Sequence, residues 1–225
     1  MKSLVFLWLI GFGVSSNHQS AAQSVPMSAG VSVKMAETTS AAPYRDADAP
    51  VSWVVTITAD GHLFFGSKPV TADSLVQQMQ ATPRSQTGKL YVKADSRAPF
   101  SLVKLVLNAG QTSSFDTAVL LTAQSGPAGG KFVPSMRLDI RLGSPTSPAA
   151  IVRLRHTGQS TPALRINNQD LPWSRLPVLK DLLHEENQKM VSLEADGKLP
   201  FDPIVTVIDF CRSLGVEVAL SLSGM

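Results

Sequence analysis

Ala94-Asp95-Ser96-Arg97-Ala98-Pro99-Phe100 returns later in the chain as Ala195-Asp196-Gly197-Lys198-Leu199-Pro200-Phe201. The Asp, Pro and Phe residues of the two copies each lie 101 positions apart. An internal repeat at a fixed spacing indicates a duplicated structural unit. The sequence therefore predicts a tandem repeat built around this stretch, which we call the acidic turn.

The residues around each acidic turn predict a strand-to-helix connection, because a β-prone run precedes each copy and apolar residues at helical spacing follow. Ser101 and Asp202 take equivalent positions and are predicted helix N-caps, with Pro203 at the first helical position. Six turn positions are candidate site residues: Asp95, Pro99, Phe100, Asp196, Pro200 and Phe201. The structural interpretation, in which Pro and Phe fix the turn and fill the core, is favoured over a binding role for Asp95 or Asp196.

The composition is that of a globular chain with a real core. Of the 225 residues, 44% are hydrophobic and 16% are charged, and the net charge is +3. Lys and Arg are scattered, so no nucleic-acid footprint is visible. The one cysteine, Cys211, excludes an internal disulfide and Cys zinc clusters, and its apolar helical surroundings predict a buried hydrophobe. The histidines lack metal-ligand spacing and no nucleophile–base signature occurs, so we expect no enzyme activity, no cofactor and no metal.

The N-terminus, residues 1–22, looks like an export signal. Lys2 supplies the positive end, Leu4 to Val14 is an apolar run, and Ser20-Ala21-Ala22 offers small residues for cleavage. The run is about half of the roughly 20 residues that span a bilayer, so a cleaved signal peptide is predicted, with a short uncleaved anchor as the alternative. Either predicts a periplasmic location. Residues 23–50, rich in Ser, Ala, Thr and Pro, predict a flexible tether.

Two units of strand and helix patterns follow, over residues 51–124 and 149–225. The first opens with an alternating strand at Trp53 to Ile57, turns at Asp60-Gly61, and begins its first helix at Thr71. Each unit reads ββαβαβ. The prediction is an α+β fold in which each unit is a small sheet with two helices packed on one face.

A linker, residues 125–148, separates the predicted units and is rich in Gly and Pro. Residues 136–142 within it alternate between apolar and charged side chains. That patch is predicted to add an edge strand to either unit.

The unit pattern resembles the periplasmic domain of the ExbD/TolR family. In the first unit the residues that carry the resemblance are Ile57-Thr58-Ala59-Asp60-Gly61, Phe65-Gly66-Ser67-Lys68-Pro69-Val70-Thr71, Leu75, and Val92-Lys93-Ala94-Asp95 with Pro99-Phe100. In the second they are Ile166-Asn167-Asn168, Leu176, and Leu193-Glu194-Ala195-Asp196 with Pro200-Phe201. The resemblance covers roughly residues 51–124 and 149–224.

The resemblance implies a role in an inner-membrane assembly that couples proton-motive force to work at the outer membrane. It implies an ExbB/TolQ-like inner-membrane partner and a peptidoglycan or TonB-like partner. In this family an acidic residue of the N-terminal transmembrane helix handles the proton, whereas here no Asp or Glu precedes Glu37. Family domains pair as dimers, so the repeat predicts an internal pseudo-dimer. The alternative is a soluble periplasmic binding module that takes a peptide or cell-wall glycan at a strand edge or the inter-unit cleft.

Overall fold

The computed structural model describes residues 31–43, 53–82, 88–124, 136–148, 150–159, 161–186 and 190–222. The predicted signal or anchor of residues 1–22 lies outside these ranges. Within them no helix is long and apolar enough to cross a membrane.

The secondary structure consists of short strands and helices of moderate length. The strands are β1 (Glu37–Thr38), β2 (Ala42–Pro43), β3 (Trp53–Ile57), β4 (Leu63–Phe65), β5 (Lys68–Val70), β6 (Leu90–Ala94), β7 (Thr117–Gln124), β8 (Met136–Leu142), β9 (Ala150–Arg155), β10 (Ala163–Ile166), β11 (Gln169–Leu171), β12 (Met190–Ala195) and β13 (Glu217–Leu220). The helices are α1 (Ala72–Ala81), α2 (Phe100–Thr112), α3 (Val178–Glu186) and α4 (Phe201–Ser213), and a 3-10 turn, Trp173–Arg175, precedes α3.

The described strands form one mixed sheet in the order β11-β10-β9-β12-β13-β8-β7-β6-β3-β4-β5, with β1 beside β7 and β2 beside β8. Outward from β7 the order is β6, β3, β4, β5, and outward from β13 it is β12, β9, β10, β11. Over the described residues the fold is therefore mixed α/β, with one large sheet and four α-helices. The prediction of a separate small sheet for each unit is wrong, because the sheet is continuous.

Strand β8 is the element that makes the sheet continuous. It runs antiparallel to β7 from Met136 to Arg141 and parallel to β13 through Arg141 and Leu142. The alternating patch of residues 136–142 is thus a strand, as its pattern indicated, but it is an internal strand rather than an edge. Its buried residues Met136, Leu138 and Ile140 lie in the main core.

Two strands were missing from the predicted ββαβαβ order. The chain reverses at Gly66 (φ +61°) and at Asn167 (φ +53°), and each reversal adds a three-residue strand, β5 and β11. Left-handed backbone of this kind suits Gly and Asn. Both added strands lie at the ends of the sheet order.

The core lies between the helices and one face of the sheet. Alternate strand residues such as Val55, Val92 and Leu120 belong to it and are fully buried. Their neighbours point to the opposite face, where Tyr91 and Val119 belong to a second, small cluster. Helix α1 begins as predicted, because Thr71 and Ser74 form a reciprocal capping box.

Residues 33–43, which we call the strap, are packed against the domain. The tether prediction is wrong for this part of residues 23–50. Ala36 and Thr38 are 1% exposed, and the Thr38 hydroxyl lies 2.9 Å from the Thr122 hydroxyl of β7. Small side chains at alternate positions let the strap lie close to the end of β7, where β1 pairs in parallel. Strand β2 then pairs antiparallel with β8.

Candidate functional site

The first acidic turn follows β6 and is closed by its own carboxylate. Asp95 donates its N–H to the Ile57 carbonyl of β3 at 2.8 Å, and its carbonyl accepts from Ala98 N–H at 3.0 Å. The Asp95 carboxylate accepts the Arg97 backbone N–H at 3.0 Å. Asp is suited to this place because its short side chain reaches the N–H two residues on.

The second acidic turn follows β12 and has the same backbone bonds. Asp196 N–H donates to the Leu154 carbonyl at 2.9 Å, and the Asp196 carbonyl accepts from Leu199 N–H at 3.1 Å. The Asp196 carboxylate accepts the Lys198 N–H at 2.9 Å. The two turns are therefore built alike, residue for residue.

The two acidic turns contact each other. Pro99 and Pro200 form an antiparallel bridge. Three backbone bonds join the turns: Ser101 N–H to the Gly197 carbonyl (2.9 Å), Asp202 N–H to the Ser96 carbonyl (2.9 Å), and Phe100 N–H to the Leu199 carbonyl (2.8 Å). The first two bonds are reciprocal under the 101-residue offset. The first acidic turn thus accepts an N–H from the N-terminal end of α4, and the second accepts one from the N-terminal end of α2. The first N–H groups of an α-helix have no partner within the helix.

These bonds replace the predicted N-caps. Pro99 and Pro200 occupy the N-cap positions, and neither makes a side-chain cap bond. Ser101 and Asp202 are the second residues of α2 and α4, so their prediction as N-caps is wrong. Pro203 is the third helical residue rather than the first. A carbonyl of the opposite acidic turn accepts the helix N–H that a capping side chain would otherwise accept.

The structure separates the six candidate site residues into three kinds. Phe100 and Phe201 are fully buried in the core. Pro99 and Pro200 are exposed and adjacent to each other. Asp95 is buried, whereas Asp196 is partly exposed. This placement gives each residue a structural role, and a binding role for Asp95 or Asp196 remains a prediction.

Besides the Arg97 backbone N–H, three further donors hold the Asp95 carboxylate. Arg97 donates from Nε at 2.9 Å and from Nη2 at 3.1 Å, and the strap donates the Lys34 N–H at 3.1 Å. The side chain of Asp95 is 5% exposed and that of Arg97 is 68% exposed. The Arg97 hydrogen bonds, partly opposed by burial, lower the pKa of Asp95 to about 2.

Asp196 carries fewer bonds. Its pKa is lowered, first because it accepts the Lys198 N–H. Lys198 stands where Arg97 stands in the first turn, and a lysine lacks the forked guanidinium that grips a carboxylate at two points.

A second carboxylate holds the strap, and sequence reasoning missed it. Asp209, on α4 and 8% exposed, accepts Thr39 N–H at 2.8 Å, the Thr39 hydroxyl at 2.9 Å and Ser40 N–H at 2.9 Å. An acid within the apolar pattern of α4 was the only signal in the sequence, and it did not name a partner. The strap is consequently tied to Asp95 at one end and to Asp209 further along.

A polar groove, the strap groove, runs along the edge of the strap. Its volume is about 410 Å³, and it is lined by Lys34, Met35, Glu37, Ser96, Arg97, Pro200, Asp202 and Thr206. Burial raises the pKa of Asp202, the Glu37 carboxylate raises it further, and Lys34 opposes the rise.

A second groove, the α2 groove, lies between α1, α2 and the second acidic turn. Its volume is about 460 Å³, and it is lined by Ala72, Val76, Ser101, Lys104, Leu105, Asn108, Ala109, Thr112, Gly197 and Leu222. Apolar side chains form much of its wall, with hydroxyl and amide groups between them. Such a surface suits the contact of a polypeptide chain.

The carboxylates of Asp95, Asp196 and Asp209 all accept backbone N–H groups. The described residues contain no group of three or more His, Cys, Asp or Glu placed to hold a metal ion. Cys211 is buried and its pKa is raised to about 12 by burial, so its thiol stays protonated.

Comparison with known proteins gives one match. The family model described as "Biopolymer transport protein ExbD/TolR" matches residues 4–125. No curated protein and no solved structure matches the chain.

Proposed function

The chain belongs to the ExbD/TolR family, and we propose that it is a non-enzymatic periplasmic component or accessory of a Ton/Tol-type system for biopolymer transport driven by proton-motive force. The match begins at Leu4, the first residue of the apolar run, and ends one residue beyond β7. It therefore takes in the N-terminal run, the strap and the whole of the first predicted unit.

We further propose that residues 149–225 are a second copy of the same unit. The strand order outward from β13 repeats the order outward from β7. The helices α2 and α4 are each 13 residues long and each begin at the Phe of an acidic turn. The reversals at Gly66 and Asn167 also lie 101 positions apart.

The single observation that carries the proposal is the reciprocal contact of the two acidic turns. Ser101 donates to Gly197, and the equivalent Asp202 donates to the equivalent Ser96, both at 2.9 Å. In a two-fold related contact, each residue of one unit bonds to the residue of the other unit whose counterpart bonds back. The two bonds between the acidic turns have this relation. Two such units in one chain would act as an internal pseudo-dimer, in place of a dimer of two chains.

Residues 1–22 are proposed to direct export and to hold the protein at the inner membrane, with the two units in the periplasm. Residues 1–36 contain no Asp or Glu, so the proposal assigns the proton-carrying step to no residue of this stretch. An ExbB/TolQ-like membrane protein is the proposed partner in the membrane. A TonB-like protein or peptidoglycan is the proposed partner in the periplasm.

Fractionation of the source cells tests the proposal. Membrane and periplasmic fractions are separated, and the N-terminus of the protein and its co-purifying proteins are identified by mass spectrometry. We expect the intact N-terminus in the membrane fraction together with a multi-span inner-membrane protein. As a control, residues 1–22 are replaced by a cleavable signal, which should release the chain into the periplasm and lose that protein.

A soluble periplasmic binding module is the second candidate, and the two grooves of about 410 and 460 Å³ favour it. Under this alternative the wild-type chain begins near Gln23, is soluble, and is found without a membrane partner. That outcome would overturn the transport role and leave the two-unit architecture standing.

A further inference from the structure

The sheet face opposite the core, which we call the outer face, carries a row of paired charges in the second unit. The cross-strand neighbours of this row, over β11, β10, β9 and β12, are Asp170, Arg165, Arg153 and Glu194. Arg153 alternates with buried core residues, so the row points away from the core. Nε of Arg153 lies 2.7 Å from the Glu194 carboxylate, and Nε of Arg165 lies 3.7 Å from the Asp170 carboxylate. Each charge of this row therefore faces an opposite charge.

The first unit has a corresponding row that carries one charge. Its cross-strand neighbours, over β5, β4, β3 and β6, are Pro69, Phe64, Thr56 and Lys93. Thr56 thus stands where the second unit has Arg153, and Lys93 stands where it has Glu194. This correspondence rests on the duplication in the proposed function.

Lys93 and Thr56 are adjacent polar residues without a counterpart. Lys93 is half-buried, and no carboxylate of the described residues forms an ion pair with it. Burial lowers the pKa of its ammonium group, because a surrounding of low dielectric constant disfavours the charged form. Thr56 is fully buried, and its hydroxyl has no hydrogen-bond partner among the described residues. A buried hydroxyl without a partner is costly, so these two neighbours together lack an acceptor.

We infer that Lys93 and Thr56 bind the carboxylate of an acidic side chain carried by a partner protein. A carboxylate brings the single negative charge that Lys93 lacks, and its two oxygens accept from the ammonium and the hydroxyl together. The contact would form between two proteins the kind of charged bond that Arg153 and Glu194 form within one sheet. The cation then lies on the strand that carries the acid in the second unit.

The charges and donors at this place select a carboxylate over other anions. Phosphate and similar groups carry more charge and are bound through several donors, most often the forked guanidinium of arginine. Lys93 and Thr56 offer one cation and one hydroxyl. A group with a single negative charge matches them.

A protein-borne carboxylate is the occupant because the bond alone is weak. An ion pair at a half-exposed lysine contributes little by itself, so the acid must belong to a molecule that makes further contacts. Phe64 lies beside Thr56 on the outer face and is half-buried. Its ring offers apolar surface to a polypeptide next to the charged bond.

Zero-length crosslinking of the full chain in its source cells tests the inference. A carbodiimide activates a carboxylate and joins it to an adjacent lysine amine as an amide. The treated membrane and periplasmic fractions are digested, and the linked peptides are identified by mass spectrometry. We expect Lys93 to be joined to an Asp or Glu of another protein.

The linked protein is then purified, and its affinity for the full-length chain is measured by surface plasmon resonance. Lys93→Met keeps the apolar stem and removes the charge, so we expect about tenfold weaker binding. Lys180→Met removes an exposed lysine of α3 and should leave the affinity unchanged. Lys93→Glu should lose binding, and changing the linked acid to lysine should recover it. Urea unfolding shows that each variant compared is folded.

Three results would overturn the inference. The first is the absence of any link at Lys93 in both fractions while other lysines are linked. The second is a link from Lys93 to its own chain or to a second copy, recognised by the mass of the product. The third is an affinity that Lys93→Met leaves unchanged, or that the exchanged charges do not recover. A link to another protein in the periplasmic fraction alone would support the carboxylate site and overturn the transport role, so the two failures are told apart.

Discussion

The two acidic turns share a backbone but differ in what they hold. The first has Arg97, which grips the Asp95 carboxylate at two points, and it receives the Lys34 N–H of the strap. The second has Lys198 in the equivalent place, and its carboxylate is partly exposed. The difference teaches that one turn can serve two purposes, namely to pair the units through its carbonyls and to anchor an extended segment through its carboxylate.

The largest expected change in the free energy of unfolding comes from the buried Phe that both acidic turns share. Phe100→Ala and Phe201→Ala each remove a fully buried ring and should lower the free energy of unfolding by about 3–5 kcal/mol. Urea unfolding of the full chain measures both. Because the sheet is continuous, we expect one cooperative transition in each variant. Two separate transitions, with only one shifted by each substitution, would show instead that the units unfold independently.

The next effect distinguishes α4, which holds the strap through Asp209, from α2, which has Asn108 at the equivalent position. Asp209→Ala removes the acceptor of three hydrogen bonds from the strap and should cost about 2–3 kcal/mol of stability. The equivalent Asn108→Ala changes an exposed side chain and should cost no more than about 0.5 kcal/mol. Hydrogen exchange provides the local measurement, since the amides of Thr39 and Ser40 should lose protection in Asp209→Ala only. Equal protection in the two variants would contradict the strap's dependence on Asp209.

The third effect is a difference in pH dependence between the turns. The pKa of Asp95 is lowered to about 2, first by its hydrogen bonds to Arg97, and an unfolded Asp titrates near 4. The stability that Asp95 contributes, on the order of 2 kcal/mol, is therefore present above pH 4 and is lost as the pH falls toward 2. Asp95→Asn should lower the free energy of unfolding at neutral pH and flatten its fall between pH 4 and 2.

Asp196→Asn is the matched control for that experiment. Its carboxylate is partly exposed and its main bond is to the Lys198 N–H, so the stability and its pH profile should change much less. If Asp196→Asn flattened the profile as much as Asp95→Asn, the forked bond from Arg97 would not be the cause of the difference.

The local parts of this fold could be predicted from the sequence. The turn at Asp60-Gly61 joins β3 to β4, the Thr71 cap begins α1, and Cys211 is buried, because each depends on a few neighbouring residues. The central place of β8 could not be predicted, because alternation indicates a strand but not the strands that flank it. The strap was missed because small residues without periodicity resemble a tether until their partner, Asp209, is known. The mutual capping of α2 and α4 has no local signal at all.

The smallest expected effect tests how closely the helices of the two units approach the sheet. Gly110 of α2 corresponds to Cys211 of α4 under the 101-residue offset, and both are buried. A Cβ at position 110 would lie 2.3 Å from Cδ2 of Leu90, so Gly110→Ala needs the Leu90 side chain to move and should cost about 1–2 kcal/mol, even though alanine favours the helix. Cys211→Ala removes one sulfur atom from a place that already holds a side chain and should cost about 1 kcal/mol or less.

The double variant Gly110→Ala with Leu90→Val identifies the cause. If contact with Leu90 is what excludes a side chain from α2, shortening Leu90 should recover part of the loss. The double variant would then be more stable than the sum of the single changes predicts, by about 0.5–1 kcal/mol in a thermodynamic cycle. If the two changes in the free energy of unfolding are strictly additive, contact with Leu90 is not the cause of the loss in Gly110→Ala. The close approach of α2 to β6 would then not be a difference between the two units.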